Sequence, residues 1–270
     1  MEHWDSIDKR REPSVQHSPE VLRSQRALEL EKAVDAIRDL RRETLPELMA
    51  ILERRKIENF VHFTRLENLQ GILRFGLIPA ATLERLVPPI PYIRTDKGRV
   101  DGIPEASCLS VTHPNHFMFK NKRADGRGWV VLGFSAAKLL RLPSIFMSTN
   151  AAAGGRKYRL TSSLKYMRSR ATPLEFEWMF ADDTWLAKLK IEANETADAQ
   201  AEVMVLETIP PDMLTFIAPY QTSLPDLEPL FPMCPSHVEW LLEPSDRRKR
   251  LVSGRVDDAF WQSIKYGRPA

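Results

Sequence analysis

The sequence predicts an α+β fold that carries a helical extension at its N-terminus. Buried strands are predicted by three apolar runs bounded by turn residues, which are residues 106–111, 129–134 and 201–206. Irregular intervals separate these runs, whereas an α/β fold would place regular crossover helices between them. The expected division is a helical extension over residues 1–57 and a main domain over residues 58–270.

The extension is predicted to contain two charged helices within residues 19–56. Leu30, Val34 and Ile37 recur at helical spacing, and residues 44–47 (TLPE) then predict a second helix start. A charged extension of this kind usually packs against the main domain, and an arm that binds a partner protein is the alternative. We expect packing for the second helix and contact with a partner or the substrate for the first.

The segment ENFVHFTRLENLQGILRFGLIP, residues 58–79, changes its hydrophobic period midway. Its first part predicts a short strand, and the apolar residues that follow share one face of a helix. Residues 64–67 (TRLE) form a capping-box pattern, which predicts Thr64 as the helix N-cap, and Gly76 is placed to end the helix. His62 is therefore expected beside outward-pointing helix amides, a set of donors suited to an anion.

Glu202 is a carboxylate at the head of an apolar strand. With strand alternation it shares a face with Met204 and Leu206. It is either a charge that protects an edge strand from association or a carboxylate that stabilises a cation developing in a cleft. The local pattern favours neither.

The composition is that of an ordinary globular protein, with 43% hydrophobic and 28% charged residues. The net charge of +3 does not demand a nucleic-acid partner, so such a site would need clustered basic residues. The two cysteines, Cys108 and Cys234, are too few for a disulfide framework. Without an apolar run of membrane-spanning length or a signal-peptide core, the expected location is the cytoplasm, with no membrane partner.

Several familiar site patterns are missing from the sequence. It contains neither a phosphate-binding P-loop nor a G-x-G-x-x-G motif. His113 and His116 lie in a segment that contains a proline, and neither cysteine has a metal-ligand partner nearby. We therefore expect no metal.

A series of motifs in a fixed order resembles the DarT family of DNA ADP-ribosyltransferases. The series begins with the histidine, phenylalanine and threonine at 62–64 and covers roughly residues 58–217. Its further members are GRVDG at 98–102, SVTHPNHFMF at 110–119, WVVLGF at 129–134, STNAAA at 148–153, FEWMF at 176–180 and QAEVMVLETIPP at 200–211.

The resemblance implies an ADP-ribosyltransferase fold, in which a split, two-sheet β core flanked by helices grips NAD as the co-substrate. It implies that His62 and Thr64 hold the NAD, with Phe63, Asn68 and Gly71 in support. An imidazole and a hydroxyl at a strand end are suitable partners for ribose and diphosphate oxygens.

The resemblance also assigns the chemistry. Glu202 is implied as the catalytic carboxylate, preceded by Gln200 in a Q-x-E arrangement and by a substrate-presenting loop at residues 193–199. Cleavage of the nicotinamide–ribose bond passes through an oxocarbenium-like transition state, which a carboxylate stabilises. Arg99 is implied as the second catalytic residue, acting at the target base or the diphosphate, and Arg94 is its nearby alternative.

The implied target is a base in single-stranded DNA, either thymine or guanine, because chemistry on a duplex base needs an unpaired base. RNA is the alternative substrate, and a non-catalytic binding module is the alternative class. A cognate antitoxin protein is the expected partner, as in toxin–antitoxin systems that act in phage defence. Further substrate contacts are expected from Gln200, Arg94, Asn115, Asn150 and Arg156. Strand tracking and base stacking are expected from the basic clusters 120–123, 156–159 and 247–250 and from Phe117, Phe119 and Tyr158.

Overall fold

A computed structural model of the protein describes residues 19–95, 103–123, 126–151, 164–182, 184, 187–188, 191–243 and 245–253. Within these ranges the chain forms strands and helices in irregular alternation, which confirms the α+β class. The helices are α1 Pro19–Arg55, α2 Leu69–Phe75, α3 Ala80–Leu83, α4 His116–Lys122, α5 Ala136–Leu139, α6 Leu164–Ser169, α7 Pro173–Glu177, α8 Leu224–Leu227 and α9 Asp246–Ser253. The strands are β1 Asn59–Arg65, β2 Ser107–Val111, β3 Trp129–Ser135, β4 Ser144–Met147, β5 Glu202–Val205, β6 Leu214–Tyr220 and β7 Glu239–Trp240.

Helix α1 is a single helix of 37 residues with Pro46 inside it, so the prediction of two helices is wrong. The helix continues because both of its halves are packed against the sheet. Ala33 and Ile37 are fully buried near the sheet half that contains β4, and Leu48 is fully buried in the main core. Thr44, the predicted cap, instead donates its hydroxyl to the carbonyl of Leu40 at 2.9 Å. Tertiary packing therefore outweighs the local helix-start signal.

Arg41 fixes the middle of α1 to the sheet. Its guanidinium donates to the carbonyl and the hydroxyl oxygen of Ser144 at 2.8 and 3.1 Å and lies over the Phe146 ring. Burial lowers the pKa of Arg41 to about 10. Among the described residues, no helix has the length and apolar character needed to cross a membrane.

The described strands form one sheet in the order β4-β5-β2-β1-β3-β6-β7, antiparallel except for the β6–β7 pair. The sheet is nearly divided between β1 and β2. These strands pair only at Phe60–Val111 and Val61–Ser110, whereas β1 pairs with β3 over all seven of its residues. The split core thus takes the form of two halves joined by a short ladder, and the halves diverge beyond Val61.

The turn after β1 differs from its prediction. Strand β1 extends through Arg65, so Thr64 is a strand residue paired with Val130 and does not cap a helix. Thr64 can either pair with β3 or cap the helix, and the long ladder between β1 and β3 keeps it in the strand. Gly76 does end α2, with a φ of +87°, and a Cβ there would lie 2.3 Å from the carbonyl oxygen of Ile209.

Candidate active site

A cleft of about 400 Å³ opens where β1 and β2 diverge. It is lined from β1 by His62 and Thr64, from β2 by residues 107–110, and from β5 by Glu202. The structure therefore brings together most of the site residues predicted from the sequence. Those lining the cleft are His62, Phe63, Thr64, Asn68, Gly71, Arg94, Asn115, Asn150 and Glu202.

His62 bridges the two halves of the sheet. Its Nδ1 lies 2.9 Å from the carbonyl oxygen of Cys108 on β2. A carbonyl can only accept, so Nδ1 carries the proton, and in the neutral ring Nε2 is the acceptor. The side chain thus continues the contact between β1 and β2 where their backbone pairing has stopped. The role of Cys108 had no signal in the sequence, because the atom involved belongs to the backbone.

Thr64 and Asn68 form a second polar group in the cleft. The buried Thr64 hydroxyl oxygen accepts a hydrogen bond from Asn68 Nδ2 at 2.9 Å. The Asn68 amide also bonds both backbone groups of Ile93, accepting from its N–H at 2.6 Å and donating to its carbonyl at 2.9 Å. Since Thr64 caps no helix, its hydroxyl can still donate its own proton.

Glu202 lies on an interior strand. Strand β5 has β4 on one side and β2 on the other, so the interpretation of this carboxylate as an edge-strand charge is wrong. Its residue is only 8% exposed, and its Oε2 accepts the backbone N–H of Ala151 at 3.0 Å. Asn150, the neighbour of Ala151, also lines the cleft. A buried carboxylate held in this way is suited to stabilising positive charge that develops beside it.

The loop at residues 193–199 is anchored at both ends. The hydroxyl of Thr112 donates to the carbonyl of Asn194 at 2.7 Å. Near the other end, the carboxylate of Asp198 accepts from the Thr149 hydroxyl at 2.6 Å and from the backbone N–H of Gln200 at 2.8 Å. Asp198 therefore connects the loop to residues 149–151, the segment whose Ala151 N–H donates to Glu202. Asp198 was not predicted as a site residue, because its only signal in the sequence is that of a carboxylate two positions before a turn amide.

The remaining predicted residues differ in what the structure shows of them. Arg94 lines the cleft and pairs with Glu84 at 2.7 Å. Asn115 caps α4 by accepting from Met118 N–H at 3.1 Å, and its buried Nδ2 has no hydrogen-bond partner among the described residues. Gln200 is half-buried two residues before Glu202, outside the lining of the cleft. Two predicted site residues, Arg99 and Arg156, lie outside the described residues.

Several of the residues expected to form the nucleic-acid surface make contacts within the protein. Phe119 is fully buried, so its predicted role in base stacking is wrong. Arg123 lies over the Tyr220 ring and donates to the carbonyl of Val252. In the third basic cluster, Arg247 pairs with Glu239 at 2.8 Å and Arg248 donates to the carbonyl of Pro219 at 3.0 Å. The cluster at 156–159, with Tyr158, lies outside the described residues.

The two histidines considered as metal ligands have separate environments. His113 Nε2 lies 3.3 Å from Glu195 Oε1, and His116 is buried at the start of α4. Over the part of the chain that the structure describes, no group of three or more histidine, cysteine, aspartate or glutamate side chains is placed to hold a metal ion.

The cleft at the split of the sheet has a histidine on one half and a buried glutamate on the other, which matches what the motif resemblance implied for an ADP-ribosyltransferase fold. A family model described as ssDNA thymidine ADP-ribosyltransferase, DarT, matches residues 61–226. Because this range is more than half of the chain, the protein belongs to the DarT family. The resemblance seen in the sequence motifs is thereby confirmed.

Among solved structures, the chain is similar to that of Thermosipho africanus DarTG in complex with ADP-ribose. The identity is 11% and the TM-score is 0.42, over 68% of this chain and 49% of that chain. The chain therefore spans about half the length of that protein. No curated protein matches the sequence.

Proposed function

We propose that this protein cleaves NAD and transfers its ADP-ribose to thymidine in single-stranded DNA, releasing nicotinamide. The observation that supports this proposal most strongly is that the buried Glu202 carboxylate lines the same cleft as His62, from the opposite half of the split sheet. The family description supports thymidine over guanine and DNA over RNA.

Glu202 is the proposed catalytic residue. The bond between ribose C1′ and nicotinamide nitrogen breaks, and its electron pair leaves with nicotinamide. A base nitrogen forms the new bond to C1′ and loses its proton to solvent. Positive charge develops on the ribose between these events, and a carboxylate held by the Ala151 amide needs no reorganisation to stabilise it. Arg99 is proposed to act at the target base or the diphosphate, with Arg94 as the alternative.

The described lining of the cleft suits NAD. His62 and Thr64 present an imidazole and a hydroxyl for ribose and diphosphate oxygens, and Asn68 holds Thr64 in place. Gly71 leaves room in the wall, because a Cβ there would contact only Ile90 Cγ2, at 3.8 Å. The Nδ2 of Asn115, which has no hydrogen-bond partner within the part of the chain that the structure describes, is proposed as a donor for a carbonyl oxygen of the substrate. Phe63, Asn150, Gln200 and Arg156 are proposed as further contacts.

The proposed setting is that of a toxin restrained by a cognate antitoxin protein, acting in the cytoplasm in defence against phage. The family resemblance supports this setting.

The test is incubation of the protein with NAD and single-stranded oligonucleotides, followed by mass measurement of each oligonucleotide. The set contains four DNAs of matched length, each with one thymidine, guanosine, cytidine or adenosine in an abasic background, and an RNA counterpart. We expect addition of one ADP-ribosyl group to the thymidine DNA only.

The matched variant is Glu202→Gln, whose side chain keeps the shape of glutamate and an oxygen acceptor for the Ala151 N–H but lacks the negative charge. It should bind NAD and lose transfer by about 10²- to 10³-fold, as expected when a group acts mainly in the transition state. Near wild-type transfer by a folded Glu202→Gln protein would remove Glu202 from the mechanism. NAD binding by the wild type with no transfer to any oligonucleotide would favour the non-catalytic binding module.

A further inference from the structure

One wall of the cleft is a single extended segment, residues 90–95, which we name the strap. All six of its residues line the cleft, yet none is fully buried, and Pro91 and Ile93 are exposed, Ile93 to 38%. The strap therefore separates the cleft from bulk water on one side. Its isoleucines make that wall largely apolar.

Two side chains from different elements hold the backbone of the strap. Asn68, at the start of α2, makes two reciprocal hydrogen bonds with Ile93, as a neighbouring strand would. Lys122, the last residue of α4, donates from Nζ to the carbonyl of Thr95 at 2.6 Å. Both side chains also line the cleft. A third contact, from Arg94 to Glu84, fixes a strap side chain to the segment after α3.

We infer that Lys122 is a positioning residue that, with Asn68, holds the strap closed over NAD and thereby favours transfer to the DNA base over hydrolysis. This inference rests on the proposed function. An oxocarbenium-like ribose reacts with any nucleophile at hand, including water. Hydrolysis breaks the same C1′–nicotinamide bond, forms a C1′–oxygen bond to water and releases the water proton to solvent. A wall that excludes water suppresses this side reaction.

The test uses Lys122→Met, which keeps a chain of similar length and apolar character but removes the donors to Thr95. Two quantities are measured, the KM for NAD and the ratio of free ADP-ribose to ADP-ribosylated thymidine oligonucleotide. We expect KM to rise about three- to tenfold, the range for one lost hydrogen bond, and the hydrolysed fraction to rise with it. Lys122→Arg should restore both, because it keeps a donor at the end of a long chain.

A second variant, Asn68→Asp, removes the donor to the Ile93 carbonyl and to the Thr64 hydroxyl oxygen, and keeps an acceptor for the Ile93 N–H. It should also raise the hydrolysed fraction, and it tests the strap even if Lys122→Met fails to fold.

The matched control is Lys138→Met. Lys138 also donates from Nζ to a backbone carbonyl, that of Asp212 at 2.9 Å, and neither residue lines the cleft. This variant should leave KM and the product ratio unchanged. If the wild type modifies thymidine but the Lys122 and Asn68 variants keep its KM and product ratio, the strap inference is overturned while the proposed function stands. If the wild type modifies no oligonucleotide, the proposed function fails, and the inference fails with it.

Discussion

At the scale of single residues, the cleft exists because side chains take over hydrogen bonds that the sheet gives up. Where β1 and β2 stop pairing, backbone groups would otherwise lose their partners at a cost of about 1–3 kcal/mol each when buried. The His62 ring supplies a donor for the Cys108 carbonyl, and the Asn68 amide serves both backbone groups of Ile93. The residues expected to hold NAD therefore also hold the walls of its site.

The open space beside Gly71, in the wall of the cleft, leads to a prediction about larger side chains at this position. An added Cβ would meet only Ile90 Cγ2 at 3.8 Å, an ordinary contact. Gly71→Ala should therefore raise the free energy of unfolding by up to about 1 kcal/mol, since alanine is the better helix former. Gly71→Met should also fold, but its longer side chain would occupy the cleft and raise the KM for NAD at least tenfold. Urea denaturation and an NAD titration of both variants measure this, and a Gly71→Met protein with wild-type KM would show that NAD does not reach this wall.

Residues with unusual placement were predictable from the sequence, whereas their partners were not. His62 and Glu202 stood out because a polar group at a strand end or on an apolar face is unusual, but their roles were assigned only by the family resemblance. The hydroxyl of Thr64 was misassigned, since a capping pattern in sequence cannot reveal that β3 pairs with this residue. The hydrogen bonds of Asp198 and of the strap join residues that are far apart in the sequence, so local sequence patterns cannot predict them.

At the scale of elements, α1 belongs to the core of the fold along most of its described length. Its first half packs with Ile145, Met204 and the rest of one core cluster, and its second half packs with Phe60 in the largest one. The face opposite the sheet remains charged, which explains why the sequence suggested a solvated appendage. The helical periodicity of the sequence located the apolar residues of α1. Pro46 indicated a break in the helix, but the packing of the segments before and after it keeps the helix continuous. The separation of residues 1–57 as a domain remains a prediction.

The packing of α1 predicts how its two faces respond to truncation. Ile37→Ala should lower the free energy of unfolding by about 2–5 kcal/mol, because the side chain is fully buried and the helix cannot move to fill the cavity. Leu28→Ala, at a position 52% exposed, should change it by about 0.5 kcal/mol or less. Urea denaturation of both variants provides the measurement. Equal, small effects would mean that the first half of α1 only rests on the surface and is available to a partner.

At the scale of the whole molecule, β1 and β2 join the two halves of the sheet through a two-residue ladder, the bond from Thr112 N–H to the Asn59 carbonyl at 3.1 Å and the His62–Cys108 contact, among the described residues. The described residues assigned to NAD come from both halves, with His62 and Thr64 on β1 and Glu202 on β5. A ligand in the cleft therefore joins halves that the backbone joins only weakly. The sequence predicted β1 and β3 in one half and β2 and β5 in the other, but not β4, β6 or β7. The point of divergence depends on where pairing ends, which no single strand encodes.

This arrangement predicts that NAD stabilises the protein as a whole and that the two key residues contribute differently. At a concentration of about 100 times Kd, NAD should add about 2.7 kcal/mol to the free energy of unfolding. For a chain of this size that corresponds to a rise in Tm of roughly 5–10 °C. His62→Ala should greatly reduce the rise, because it removes both an expected NAD contact and the bridge to Cys108. Glu202→Gln should preserve it, because the carboxylate acts on charge that develops only during bond cleavage. Thermal denaturation with increasing NAD separates the two roles, and an NAD-dependent rise that survives His62→Ala but disappears in Glu202→Gln would reverse their assignments.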